Sequence, residues 1–411
     1  MDTLQKILDQ QLKTYPRIAL QKVIEKKLIS VGLHSDPSLV DQIINKVLTN
    51  DSSVIQWDDG KDTNSSITLS ISENDIAEIE KMFGRLMESI PNLIETTSTK
   101  IAKSLLKSLK KKWLEESLYQ KQEWRIFRSN LGKRWGKALG LLRILLTISR
   151  ELGGEIAITR SSDDSHLNNV SIRLHIRACQ LTAEIITLLE NGYADGAMAR
   201  WRTLHEISIV MALMHDHGEP LAERYVDHRA VEAKSGKDQY LVCYEQLGYE
   251  ALNESDCYEI DEEYVRIIEK YGKEFGGPYG WAEGYVTKNG RGRLGLGDLE
   301  VAAGRSAMAS HYKLASHNVH AGPHALFFRL GLIDGPMLLA GASNAGLSEP
   351  GQNTAVTFCF ISILLVRDCA NFDIIVMMKI LQLLRDEIPR AFAKAELKLQ
   401  ADHERHTQNS K

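Results

Sequence analysis

The chain has 411 residues and a mass of 46.2 kDa, long for one domain and enough for two. Apolar residues make up 43% and charged residues 25%, which excludes wholesale disorder, and a net charge of -4 excludes polyanion binding by bulk charge. Five cysteines (Cys179, Cys243, Cys257, Cys359, Cys369) show no C-x-x-C spacing, which argues against a zinc ribbon, a thioredoxin site or a disulfide scaffold and fits a reducing compartment.

The opening MDTLQKILDQQLK is amphipathic and polar, unlike a signal peptide. The most apolar stretch, Ala355 to Val366, falls short of the roughly 20 residues a bilayer span needs, so it reads as a buried core helix. No membrane association is expected, and the cytoplasm is the expected compartment.

Residues 1–49 read as short helices: Leu4, Ile7 and Leu8 repeat at helical spacing, as do Val40, Ile43, Ile44 and Val47, with Pro16, Gly32 and Pro37 as punctuation. Residues 50–66 form a polar linker or an exposed hairpin. Ser72 with Asp75 three later predicts a capped helix start. That helix carries Ile76, Ile79, Met82, Phe83 and Leu86 on one face, and Pro91 is expected to stop it. From Thr99 to Arg150 a helical pattern holds 14 basic against 3 acidic residues, with Trp113, Trp124, Phe127 and Trp135 interleaved. Such a stripe suits phosphates, RNA being the partner considered, or an acidic protein; the alternative is a solvated helix face with its aromatics turned inward.

Gly153-Gly154 and Ser161 to Ser165 mark a boundary. Beyond it, helices are predicted over Leu167–Asn191, Asp195–His217, Leu221–Gly248 and Asp261–Tyr271. A glycine-rich loop follows from Gly276 to Gly297, holding Tyr279, Trp281 and Tyr285. Asp298 is expected to cap a helix running to about Ala321. Gly341–Gly351 reads as a second loop, before helices over Asn353–Met378 and Leu381–Leu399. The fold class is all-α: a helical bundle C-terminal domain with a smaller basic helical N-terminal region. The division expected is 1–98, a basic connector 99–150, a bundle domain 151–400 and a frayed tail 401–411.

Three constellations carry potential chemistry. In ARWRTLHE, Ala199 to Glu206, Arg202 and Glu206 are four apart and share a helix face, with His205 beside them and Leu204, Ile207, Val210 and Met211 around them. Charges on a largely buried helix must be paired, so they either cross-link the bundle or line a polar pocket. Second, four of the 13 histidines fall between Arg305 and His324. Tyr312, Ser316 and His320 stand four apart on one stripe, Arg305 lies within about 20° of Tyr312 on the same wheel, and His317 precedes His320 by three. His317 and His320 with Glu206 or His205 would suit a metal only with a further ligand, and neither metal nor cofactor is assigned. A metal-independent phosphodiesterase would use His311 or His320 as acid or base and Arg202 or Arg305 against the phosphorane charge. Histidines satisfied by packing partners are the third reading. Arg305 and His311 have the R-x5-H spacing found in HEPN ribonucleases, helical bundles of toxin and antiviral systems. Third, GRGRLG, Gly290 to Gly295, matches G-x-G-x-x-G but lacks the preceding strand of a dinucleotide site. Arg291 and Arg293 would still reach a phosphate from a mobile loop. Candidate substrate-binding residues are thus Tyr312, His317, His205, Trp281, Arg291 and Arg293. His215-Asp216-His217 reads as a helix end with cations at its negative pole.

From about Asn191 to Asp368 the chain resembles an uncharacterised helical bacterial family, a domain of unknown function (family 5677). The resemblance rests on NGYADGAMARWRTLHE, on GGPYGWAEG, on Tyr312-x3-Ser316-x3-His320-Ala-Gly and on GLSEPG. Ala321 stands where that pattern has Gly after the last His. The resemblance implies that Arg202, Glu206, Tyr312, Ser316 and His320 converge in one pocket. It brings no established activity. Two functions are therefore expected as alternatives. One is RNA cleavage or binding in a bacterial conflict system such as antiphage defence. The other is a non-enzymatic interaction or sensor module with a structural Arg-Glu-His cluster, its apolar C-terminal helices forming a homodimer seam.

Overall fold

The computed structural model describes residues 3–58, 66–290, 292–320, 322–333, 338–367 and 371–409, and only the backbone at positions 3, 4, 7, 8 and 11. The side chains of Leu4, Ile7 and Leu8, and Arg291, Ala321, Asp368 and Cys369, thus lie outside the described residues. All regular structure among the described residues is helical. The chain is an all-α protein, and it divides into two compact units, Met1–Gln120 and Lys121–Lys411.

The first unit holds α1 (Thr3–Ser30), α2 (Pro37–Thr49) and the start of α3 (Glu73–Thr159). Asp36 caps α2 by accepting from the backbone N–H of Ser38 at 2.7 Å, with Pro37 pre-set for the first turn. Ser72 and Asp75 exchange the capping bonds expected of them. Leu20, Ile24 and Leu28 pack on Leu39, Val40 and Ile44 to form a small core. Two expectations fail here. Pro16 lies inside α1 and Pro91 inside α3. A proline removes one helical hydrogen bond, but the turns on either side still close.

The second unit takes the rest of α3. It adds α4 (His166–Glu190), α5 (Ala194–His217), α6 (Glu219–Asp227), α7 (Arg229–Leu247), α8 (Glu254–Tyr271), α9 (Leu296–Ala302), α10 (Ala309–His317), α11 (Pro323–Phe327), α12 (Ser348–Val366) and α13 (Phe372–Asn409). Helices α3, α4, α5, α12 and α13 share the main core, where Trp135, Leu142, Leu181, Trp201, Phe358 and Phe392 are fully buried. A second core gathers α6, α8 and the 272–296 segment around Phe275, Trp281, Leu213 and Met214. Among the described residues no helix is long and apolar enough to cross a membrane.

Several boundaries differ from the sequence reading, each for a packing reason. Gly153-Gly154 is no boundary but lies within α3: a Cβ on Gly153 would sit 2.6 Å from the His175 ring, so the glycine admits α4 at close range. The helix expected over Leu221–Gly248 is interrupted at His228, whose Nε2 lies 2.9 Å from the Gly277 carbonyl. The helix expected from Asp298 to Ala321 ends at Ala302, because Gly304 turns the backbone at φ +65°. A short 3-10 turn then leads to α10. Asp298 does cap, accepting from the N–H of Gly295 at 2.9 Å. The segment expected to be a loop through Gly351 becomes helical at Ser348. The expected frayed tail is helical to Asn409, and Asp402 accepts from Arg134 at 2.8 Å.

The basic stripe is not uniform. Arg134 pairs with Asp402, Arg143 with Glu190 and Lys137 with Glu387, so part of the charge of the stripe inside the second unit is matched. Trp135 is buried and donates to Asn344 Oδ1 at 2.8 Å, and Trp124 meets Phe127 edge-on, whereas Trp113 is exposed.

A Cβ on Gly351 of α12 would lie 2.3 Å from the buried Phe392 ring of α13. Gly351→Ala should therefore lower stability by about 1–3 kcal/mol through overpacking. Gly236→Ala, on the exposed side of α7 with nothing within 4 Å, should raise it by about 0.5–1 kcal/mol. Urea titrations of the two variants check the opposite signs.

Candidate functional site

Helix α5 is enclosed on most sides: Trp201, Leu204, Ile207, Ile209 and Met211 are all buried. It nevertheless carries Arg202, His205 and Glu206, and each finds a partner from another element. The Tyr312 hydroxyl of α10 accepts from Arg202 Nη2 at 2.6 Å and donates to Glu206 Oε1 at 2.5 Å. Arg202 and Glu206 themselves stand 3.8 Å apart, and the guanidinium lies 4.7 Å from the Tyr312 ring centre. Burial, with the bond to Glu206 added, pushes the Tyr312 hydroxyl well above its usual range, so it stays a proton donor. Nearby Tyr279 is pushed up by burial and by the Glu206 charge.

Deeper in, fully buried His205 places Nε2 2.9 Å from Glu300 Oε1 of α9, stacks on Trp201 and lies tilted against Tyr312. Burial lowers its pKa, opposed by the Glu300 bond and reinforced by the positive charge of Arg305. Trp201 in turn donates to Thr357 Oγ1 of α12 at 3.0 Å. Arg305 lies flat over Phe360, 4.4 Å from the ring centre, with Nε and Nη2 shut off from solvent and without a hydrogen-bond partner. Its burial lowers its pKa.

The structure thus joins Arg202, Glu206, Tyr312 and His205, and it separates the rest. His320 is exposed and lies past the end of α10, so it shares no helical stripe with Tyr312 and Ser316. The Ser316 hydroxyl is spent on the Tyr312 carbonyl at 2.9 Å. His317 faces the His324 ring at 4.5 Å. Arg305 precedes α10 and is on no common wheel with Tyr312. His311 Nδ1 meets Glu349 Oε1 at 2.7 Å, while Arg305 sits on Phe360. Glu349 and Phe360 are three turns apart on α12, about 16 Å of helix rise, so the R-x5-H pair is anchored at two levels. Among the described residues no group of three His, Cys, Asp or Glu is placed to hold a metal ion.

The glycine-rich loop is clamped at Gly280–Glu283. Arg224 donates to the carbonyls of Gly280, Trp281 and Glu283 and lies over Tyr271, Phe275 and Tyr285. Trp281 is buried against Tyr225 and so is core rather than a substrate contact. Arg293 is exposed beside Gly277, and Arg291 lies outside the described residues.

Sequence reasoning missed Glu300, Glu349, Phe360 and Arg224. The demand that Arg202 and Glu206 be paired was legible, but nothing in the sequence pointed to Glu300 as the partner of His205, 95 positions away in the chain. A concavity of about 820 Å³ lies between α3 and α4, lined by Arg150, Gly153, His175, Cys179, Glu184 and Arg200 among others, and no residue of the α5 network lines it.

Residues 168–335 match the model of a family of unknown function (DUF5677), which bears out the resemblance drawn from the sequence. The matched span contains α4 to α11 and the whole Arg202–Tyr312–Glu206 and His205–Glu300 network; the GLSEPG segment lies outside it. No curated protein and no solved structure matches the chain.

Tyr312→Phe removes the bridge between two half-buried charges and should cost about 1–3 kcal/mol in urea unfolding. Burial holds His175 at a pKa of about 4 and also lowers that of His205, whereas both titrate near 6.5 when unfolded. The unfolded chain then binds more protons between these values, so stability is full above pH 6.5 and falls as the pH drops toward 4. His175 alone accounts for about 3 kcal/mol of that loss. Denaturation midpoints across this range should show it, and His175→Gln should flatten the slope.

Proposed function

We propose that the second unit is a non-enzymatic interaction or sensor module whose charged network is structural. The observation that carries this reading is the Tyr312 hydroxyl, which bonds Arg202 Nη2 and Glu206 Oε1 at once. An acid–base group or charge stabiliser has to face space for a substrate, whereas Arg202 Nη2 and Glu206 Oε1 are turned onto one shared hydroxyl. His205, the histidine of the network, is enclosed on Glu300. In this reading the network locks α5, α9 and α10 in one arrangement. Helix α12 is enclosed in the bundle, so a second copy in a homodimer would meet the outer face of α13, where Phe372, Leu383 and Leu397 are exposed.

A second reading, RNA cleavage in a bacterial defence system, is favoured by one feature. His311 is oriented by Glu349 through Nδ1 and is partly exposed, which is how a histidine general base is held. There its Nε2 would take the proton of a ribose 2′-hydroxyl as that oxygen attacks the adjacent phosphorus.

Incubation with total tRNA and ribosomal RNA, with and without chelator, separates the two. Intact RNA throughout, with a dimer that Leu383→Glu plus Leu397→Glu converts to monomer, is the expected result. Fragments that persist in chelator, vanish in His311→Ala and remain in Tyr312→Phe would overturn the module and establish the nuclease.

A further inference from the structure

The densest run of positive charge in the chain lies in the first unit, in α3. From Thr96 to Leu114 there are six lysines and no acidic residue. Residues 102–116 are all exposed. Among the described residues none of Lys100, Lys103, Lys107, Lys110, Lys111 and Lys112 has an ion-pair partner within the chain; the paired basic residues of this stripe come later, at Arg134, Lys137 and Arg143.

The same segment exposes large apolar side chains: Leu105 at 57%, Leu106 at 51%, Leu109 at 67% and Trp113 at 58%. At about 100° per residue these four, with Ile101 and Ala102, cover an arc of roughly 140°, and Lys100, Lys103, Lys107, Lys110 and Lys111 fill a separate arc of roughly 100°. Lys112 and Leu114 depart from the pattern; a lysine within an apolar arc can keep its stem down and its ammonium in the headgroups. The result is a basic amphipathic helix in which neither face is covered by the described residues.

Three occupants would meet part of this surface. A second copy laid along the segment would bring like charge against like charge. An RNA strand would satisfy the lysines but leave Leu105 and Leu109 in water. An anionic bilayer offers phosphates above an acyl boundary, matching both arcs at one depth. No described helix is apolar enough to span, so such a segment lies on the surface.

We infer that residues 100–113 of α3 dock the protein on anionic lipid bilayers, with Leu105, Leu109 and Trp113 inserted below the headgroups and the lysines on the lipid phosphates. This is independent of the function assigned to the second unit.

The test is co-sedimentation of the full chain with extruded vesicles of phosphatidylcholine alone or mixed with phosphatidylglycerol. Partitioning into the anionic vesicles should exceed that into neutral ones by at least about tenfold and weaken with added salt. Trp113 fluorescence should shift to the blue, and Trp113→Phe should remove the shift. Leu105→Glu with Leu109→Glu should abolish binding, and Lys103→Gln with Lys107→Gln and Lys110→Gln should reduce it by about tenfold or more. All these sites are exposed, and unchanged circular dichroism and melting temperature verify that the variants fold. No vesicle binding overturns the proposal. If tRNA is bound instead and Leu105→Glu leaves that binding unchanged, the surface is a polyanion site. If the chain is a dimer that Leu109→Glu splits while vesicles stay unbound, the surface is a self-association seam.

Discussion

Helix α5 combines two demands that rarely coexist: most of its surface is enclosed by apolar neighbours, and one side carries Arg202, His205 and Glu206. A desolvated charge is tolerable only with a partner that replaces its water. Every partner comes from a different element. Tyr312 brings α10, Glu300 brings α9, and Trp201 ties the same helix to α12 through Thr357. The short helices after the glycine-rich loop add Leu299 and Ala315 to the two cores, and these polar bonds tie them to α5 as well.

The same principle explains the glycine-rich loop. Its backbone carbonyls leave regular structure inside a packed region and need donors. Arg224 supplies three contacts and His228 supplies one at Gly277. The aromatic residues around Arg224 accept the flat face of the guanidinium while its edge serves the carbonyls. The stretch from Gly277 to Glu283 is thereby tied to α6 and to His228, and its Trp281 is a core residue.

Pairing also separates structural polar groups from candidates for chemistry. Arg202 and Glu206 meet at the Tyr312 hydroxyl and His205 is enclosed on Glu300, whereas His311 is held by Glu349 through Nδ1 and keeps part of its ring in solvent. Arg305 stands apart from both, its guanidinium on Phe360 with N–H groups left over. Sequence spacing suggested that Arg305 and His311 work together; in the structure Arg305 rests on Phe360 and His311 on Glu349, about three turns apart on α12.

Much of the fold was legible in the sequence because helices are local. The limits of α4 and α5, the cap formed by Ser72 and Asp75, and the all-α class follow from apolar periodicity and from capping side chains within a few residues. The pairing of Arg202 with Glu206 was visible as a need, since a charged pair on an apolar helix has to be satisfied. What satisfies it was not. Tyr312 was a named candidate, but Glu300 and Phe360 are joined to His205 and Arg305 across long stretches of chain, and chain distance carries no signal for such a contact. The expected stops at Pro91 and Gly153 failed: at Pro91 the turns on either side still close around the missing bond, and at Gly153 the glycine serves the close approach of His175 instead of a break. The sequence by itself determined the helices and the charges that had to be paired, because both are set within one or two turns. Only the tertiary structure decided which side chain meets each charge, because that depends on where distant helices cross.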